Sequence, residues 1–334
     1  MKDPRTGRRI TIFLIVLILL LLSILFGLMT GSVTIPWQEV WKSLFSNEET
    51  EFRQIVWNLR LPRVLTGLLV GVCLATSGAF LQGVFRNPLA DPGIIGVSSG
   101  AGLAAIVIMI LLPEHMSMLP MAAFLGALAA TLAIYLLAWK GGASTGRLIL
   151  AGVAINSLLG AGMTTLMILN SEKVQAALPW LAGSLNGRSW PHFTTILPYA
   201  CIGVVLSLLL IKHANILILG DEVAKLLGNR VERSRLLIIL ISTFLAGAGI
   251  SVVGLVGFVG LVVPHIVRML VGSDYRFLMP ISALGGGFLV VTADTIARSW
   301  FDPIEFPVGV LLALLGAPFF LYLMRRGLKS WKAS

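Results

Sequence analysis

Few residues in this 334-residue chain are of a type and spacing that could do chemistry. The four histidines, His115, His192, His213 and His265, are scattered without the short separations of a metal site. There is no Gly-x-x-x-x-Gly-Lys-Ser/Thr segment and no Gly-Lys pair, so no loop here can cradle nucleotide phosphates. Pro92-Gly93-Ile94-Ile95-Gly96 carries the glycines of an anion loop without the lysine that would complete it. Cys73 and Cys201 both fall in apolar stretches and read as small core residues rather than a disulfide framework. The chain therefore reads as something other than an enzyme, with no cofactor or metal of its own. Three polar groupings remain. Arg60 and Arg63 lie three apart, on one helix face; Asp294 and Arg298 lie one turn apart and can pair. The third is the run from Leu219 to Gly228, in which Leu219, Val223, Leu226 and Leu227 share one helical face and Asp221, Glu222 and Lys225 another.

The elements that position these groups are apolar helices. The chain is 57% hydrophobic and 12% charged, too apolar for a soluble protein of this size. Stretches of bilayer length, roughly 20 residues, fall at about 10–30, 61–83, 94–112, 118–139, 148–170, 192–211, 235–250, 252–270, 278–297 and 307–324. The expected fold is all-α: one membrane domain over 1–334, of about ten spans. The seventh and eighth stretches form one glycine-rich run, from Gly247 to Gly260, that fits either two short spans or one broken helix. With both termini placed in the cytoplasm, 18 of the 25 basic residues fall on the cytoplasmic side, as the positive-inside rule requires. The basic balance thus describes membrane topology; no basic patch interleaved with exposed aromatics suggests a nucleic-acid groove. Asp294 and Arg298 come at the end of a span, as an outer pair rather than a mid-membrane proton relay.

The longest cytoplasmic loop, about 212–235, holds the short amphipathic helix, with Gly228-Asn229 as its stop. Taken alone, that helix fits a lipid interface as well as a protein partner. Asn87-Pro88 and Asp91-Pro92-Gly93 are turn signals between the second and third stretches, because each proline keeps the preceding residue out of the helical region. They fit a rigid hinge or a simple connection. Outside, Trp37, Val40, Trp41, Leu44 and Phe45 recur at helical spacing as an interfacial helix, and Glu48-Glu49-x-Glu51 reads as a solvated acidic loop. Arg60 and Arg63, at the outer mouth of the second stretch, fit ordinary snorkelling at a membrane surface.

Glu222-x-Ala224-x-x-x-Gly228 resembles the coupling loop by which ABC importer permeases dock on a separate ATPase. Arg60-Leu61-Pro62-Arg63, Ser77-Gly78-Ala79, Gln82-Gly83, Asn87-Pro88-Leu89-Ala90-Asp91-Pro92-Gly93, Gly96-Val97-Ser98-Ser99-Gly100, Gly257-Phe258-Val259-Gly260 and Leu315-Gly316-Ala317-Pro318 are together similar to the FecCD family, from about residue 55 to 326. These are permeases for ferric siderophores, haem and cobalamin. The resemblance implies a cell-membrane permease subunit importing a ferric siderophore. It would act with a second permease chain, two ATP-binding subunits and an extracytoplasmic substrate-binding protein. It assigns ATPase coupling to Asp221, Glu222, Ala224 and Gly228, a cytoplasmic gate to Ser144 and Thr145, and binding-protein docking to Arg60, Arg63 and Arg298. The stretch Pro179–Leu185 matches a short outer helix of the family. Haem or cobalamin as cargo, or an ion-coupled secondary transporter, are the competing expectations.

Overall fold

The computed structural model describes residues 6–46, 50–300 and 305–327. The acidic pair Glu48 and Glu49 and the terminal lysines fall outside them. Thirteen helices make up the described chain: α1 (Thr6–Met29), α2 (Trp37–Phe45), α3 (Glu51–Val84), α4 (Val97–Leu111), α5 (Leu119–Ala138), α6 (Thr145–Leu169), α7 (Val174–Ala182), α8 (Trp190–Ile218), α9 (Asp221–Leu226), α10 (Val231–Val253), α11 (Val259–Val271), α12 (Tyr275–Ser299) and α13 (Val308–Gly327). Seven are long and apolar enough to cross a membrane, and α4, α11 and α13 are shorter apolar helices. These ten helices account for the ten apolar stretches expected from the sequence, and α2 forms where the aromatic spacing predicts a helix.

Helix α3 is the axis of the bundle, packed by α12, α10, α8 and α11. Small residues let the backbones approach. A Cβ on Gly71 would lie 2.2 Å from the Gly286 carbonyl oxygen, so α3 and α12 touch main chain to main chain. Helices α4 and α5 meet in the same way through Gly100 and Gly126. Before Arg60, α3 opens into a wide π-type turn over Gln54–Arg60. Pro62 lacks the N–H that an α-turn would use there, and the wider turn absorbs the missing bond.

The structure decides one reading the sequence left open and moves two boundaries. The glycine-rich run is two helices, α10 and α11, broken over 254–258 where Gly254 and Phe258 take positive φ (80° and 66°). The break is tolerable because protein covers it. Leu255 N–H donates to the Trp180 carbonyl (3.2 Å), and Ser184 N–H to that of Val253 (2.9 Å). The expected loop from Lys212 is shorter: α8 continues to Ile218, leaving 219–230. Asn215 holds that last turn, its Nδ2 donating to Asp274 (3.0 Å) and its Oδ1 accepting from Tyr275 N–H (2.8 Å). The outer helix expected over 179–185 is α7, which starts earlier and stops at Gly183, with φ of 73°.

Candidate functional site

At one end of the bundle, α9 is a helix of about a turn and a half lying against α8 and α10. It ends as its sequence requires. Gly228, at φ 76°, lets its own N–H reach the Lys225 carbonyl (2.9 Å) and Asn229 N–H reach that of Ala224 (3.0 Å), which closes the last carbonyls of the helix. Ala224 is fully buried against the bundle. Val223, Leu226 and Leu227 are exposed, Leu226 by 88%, so the apolar face is uncovered in this chain. Glu222 is exposed beside it.

Asp221 faces inward. Its Oδ2 accepts from Arg235 Nη2 at 2.7 Å, and Oδ1 lies 3.7 Å from Arg86 Nη2. Arg235, only 2% exposed, also donates through Nη1 to the Ala143 carbonyl and to Glu232, both at 2.7 Å. Glu232 accepts in turn from Ala143 N–H (2.9 Å). One planar guanidinium thus joins α9 to the short strap 139–144 that leads into α6. Arg147 stiffens the strap from the other side, bonding the Gly142 carbonyl (2.6 Å), the Lys140 carbonyl (3.1 Å) and Ser144 Oγ (3.0 Å). Ser144 sits at the N-cap position of α6, exposed, with its Oγ engaged by Arg147 rather than by the helix N–H groups; Thr145 opens the helix half-buried.

The turn from Phe85 to Gly96 borders the same end. Arg86 closes α3 in the left-handed region (φ 48°), where glycine is usual, while its guanidinium reaches towards Asp221. Asn87 Oδ1 accepts from Leu89 N–H (3.0 Å), Pro88 follows, and Asp91 Oδ1 accepts from Gly93 N–H (2.6 Å), starting the tight helical turn Pro92–Ile95. Burial pushes the Asp91 carboxyl above the ordinary carboxylate range, partly offset by the Gly93 N–H. Helix α6 rests on this turn. Asn156 Nδ2 donates to the Gly93 carbonyl (2.9 Å), Asn156 Oδ1 accepts from Ser99, and Gly152 lets the Ile94 carbonyl approach its Cα.

The opposite end gathers the three arginines, but with their donors turned inward. Arg60 bonds the carbonyls of Leu28 (2.8 Å), Met29 (2.9 Å) and Val33, satisfying the last carbonyls of α1. Arg63 grips Asp294 with two bonds of 2.9 Å and Glu305 with a third of 2.9 Å. Arg298 donates to the Gly27 carbonyl and stands 3.9 Å from Asp294. The i,i+4 pair expected of Asp294 and Arg298 is therefore the longer contact, with Arg63 as the closer partner. All three arginines are buried. Nearby, burial and then the Arg63 charge push the Arg188 guanidinium below its usual range.

Sequence reading missed the residues that connect these pieces. Arg235, Arg86 and Glu232 entered only as charges, since nothing in their spacing reveals a bond to a strap about 90 residues away. Asn156 carried a usable signal: an amide at the middle of an apolar helix usually has a partner there.

The comparisons with known proteins agree with one another. The FecCD transport family matches residues 18–326. An Fe(3+)-citrate import system permease of Bacillus subtilis (strain 168) is 40% identical over 323 residues, 97% of either chain. A hemin transport system permease of Yersinia pestis is 41% identical over 317 residues, 93% of this chain and 94% of that one. A solved inward-facing structure of a metal-chelate type ABC transporter superposes with a TM-score of 0.84 at 31% identity, covering 95% of this chain and 99% of that one. The apolar helices are those of a multi-pass membrane protein, and hydrolysis of ATP in such a transporter lies with partner subunits. The chain belongs to the FecCD transport family, as a membrane permease subunit of a metal-chelate type ABC importer.

Proposed function

We propose that the chain imports a ferric siderophore, as one of two permease chains working with two ATP-binding subunits and an extracytoplasmic binding protein. Both termini and α9 would face the cytoplasm, as the basic residues favour. The observation that carries this reading is the uncovered apolar face of α9, tied through Asp221 and Arg235 to the strap before Ser144. An ATPase docked on Val223, Leu226 and Leu227 would pull Asp221, and with it Arg235, Ala143 and the start of α6. Ser144 and Thr145 would narrow the exit, the turn at Asn87–Gly93 would act as the hinge, and the arginine end would receive the binding protein. The name of the Fe(3+)-citrate relative supports a ferric chelate as cargo, and that of the hemin relative supports haem. Haem or cobalamin remain the nearest alternatives, because cargo is chosen mainly by the binding protein. Family membership sets the ion-coupled alternative aside.

The test is uptake by the assembled transporter in proteoliposomes. Radio-iron bound to a siderophore should accumulate only with ATP, and an imposed proton or sodium gradient alone should drive nothing. Preferential uptake of haem or cobalamin in the same vesicles would replace the cargo.

A further inference from the structure

A cleft of about 570 Å³ opens between the end of α5 and the start of α10, beside α9. Its walls carry Tyr135, Trp139, Lys225, Arg230 and Arg233, with Leu236 on its apolar side. Its polar groups are nearly all donors. The side chains of Lys225, Arg230 and Arg233 make no hydrogen bond or ion pair among the described residues. The Tyr135 hydroxyl has no partner although the residue is only 5% exposed. Asn229 accepts from Ser234 through Oδ1 (2.7 Å), which leaves its Nδ2 donor unpaired. The one carboxylate in the wall, Glu232, is already held by Arg235 and by the Ala143 N–H. A buried hydroxyl and an amide without partners, under three unpaired cations, call for an acceptor-rich anion.

The surroundings select which anion. Trp139 is half exposed and its ring stands 5.7 Å from that of Tyr135, the aromatic arrangement found where headgroups meet hydrocarbon. Leu136 and Leu137, on α5, and Leu237, on α10, are exposed apolar side chains continuing away from the cleft. We infer that this cleft binds one anionic phospholipid, its phosphate held by Arg230, Arg233 and Lys225, with the Tyr135 hydroxyl and Asn229 amide donating to it. The acyl chains would lie along the exposed leucines. The inference needs only that the chain sits in a bilayer, and stands apart from the cargo it carries. A basic recess between membrane helices is a known way to hold such headgroups.

The experiment uses the full chain in detergent, titrated with phosphatidylglycerol or phosphatidylcholine and read by native mass spectrometry. Wild type should retain one phosphatidylglycerol and no phosphatidylcholine at the same concentration. Arg230→Gln with Arg233→Gln should weaken retention about thirtyfold, from the loss of two surface cations. Tyr135→Phe should weaken it about fivefold, and Arg8→Gln, elsewhere on the surface, should leave it unchanged. Unchanged melting in phosphatidylcholine would show that the variants fold. Three results would overturn the inference. One is retention in the double variant equal to wild type. Another is equal loss with Arg8→Gln. The third is unchanged lipid retention with weakened binding of the ATP-binding subunit, which would give these cations to that protein instead.

Discussion

Arg63 and Asp294 meet through two parallel bonds of 2.9 Å across 231 residues of sequence, joining α3 to α12 in a buried fork. A guanidinium so engaged is first a structural group. If it also receives an acid of the binding protein, the two roles must separate under mutation.

Arg63→Ala should cost about 3–5 kcal/mol, because it strands a buried carboxylate, and should weaken binding-protein docking as well. Arg63→Met combined with Asp294→Leu should recover part of the stability, since an apolar pair can replace a buried ion pair, although Arg298 loses its nearby carboxylate. Docking should remain weak in that double variant. Full recovery of docking together with stability, read by binding-protein affinity and denaturation, would confine these arginines to holding the helices.

Arg235 should act in coupling rather than in insertion. In the assembled transporter, Arg235→Lys should leave ATP hydrolysis running while uptake falls about tenfold, as a point charge cannot span Asp221, Glu232 and the Ala143 carbonyl together. Hydrolysis and uptake measured on the same vesicles settle it. If both stay at wild-type levels, the strap is not driven through this residue.

The exposed face of α9 gives a sharper contrast. Leu226→Glu should abolish association with the ATP-binding subunit while the chain still inserts and melts as wild type does, because Leu226 touches little of its own chain. Gly228→Ala should cost about 1 kcal/mol through its positive φ, a smaller effect on the same pull-down. Near wild-type transport in Leu226→Glu would point to a helix that lies on lipid.

Asp274 predicts a response to acid. Burial pushes its carboxyl up, but this is outweighed by bonds from the Arg276 side chain and N–H and from Asn215, and by the Arg276 charge, so it titrates below its ordinary value. A depressed carboxylate adds stability above its unfolded pKa, about 3.9, and loses it as pH falls through the lower folded value. Between pH 6 and pH 3 the melting midpoint of wild type should therefore drop further than that of Asp274→Asn. Parallel curves for the two would remove Asp274 as the cause.

Helix positions were legible because burial in lipid demands long apolar runs, and each such run became a helix. Gly228 and Asp91 were legible too, since a helix stop and a turn start depend on near neighbours. Less legible was the break at 254–258, where glycines alone fit both a bend and close packing; the Trp180 carbonyl that accepts from Leu255 comes from a distant segment. The inward turn of Arg60, Arg63 and Arg298 was hidden for the same reason. Composition places an arginine at a membrane edge, but only the fold shows that the Leu28 carbonyl or Asp294 is waiting for it.

Helix α6 fully buries only Leu148 and Gly152, both near its Ser144 end, and its amide tie to the Gly93 turn comes at Asn156. Mechanically it is a cantilever, clamped at one end and lightly braced beyond. The arm from Asn156 to Leu169, which leans on α4 through Gly162 and Met163, is about 20 Å long at 1.5 Å per residue. A tilt of about 10° at the clamp would carry the far tip some ~3–4 Å. With Gly152 as pivot, the strap end lies about 12 Å to one side and the tip about 25 Å to the other at 1.5 Å per residue, so any shift of the strap reaches the far tip enlarged about twofold.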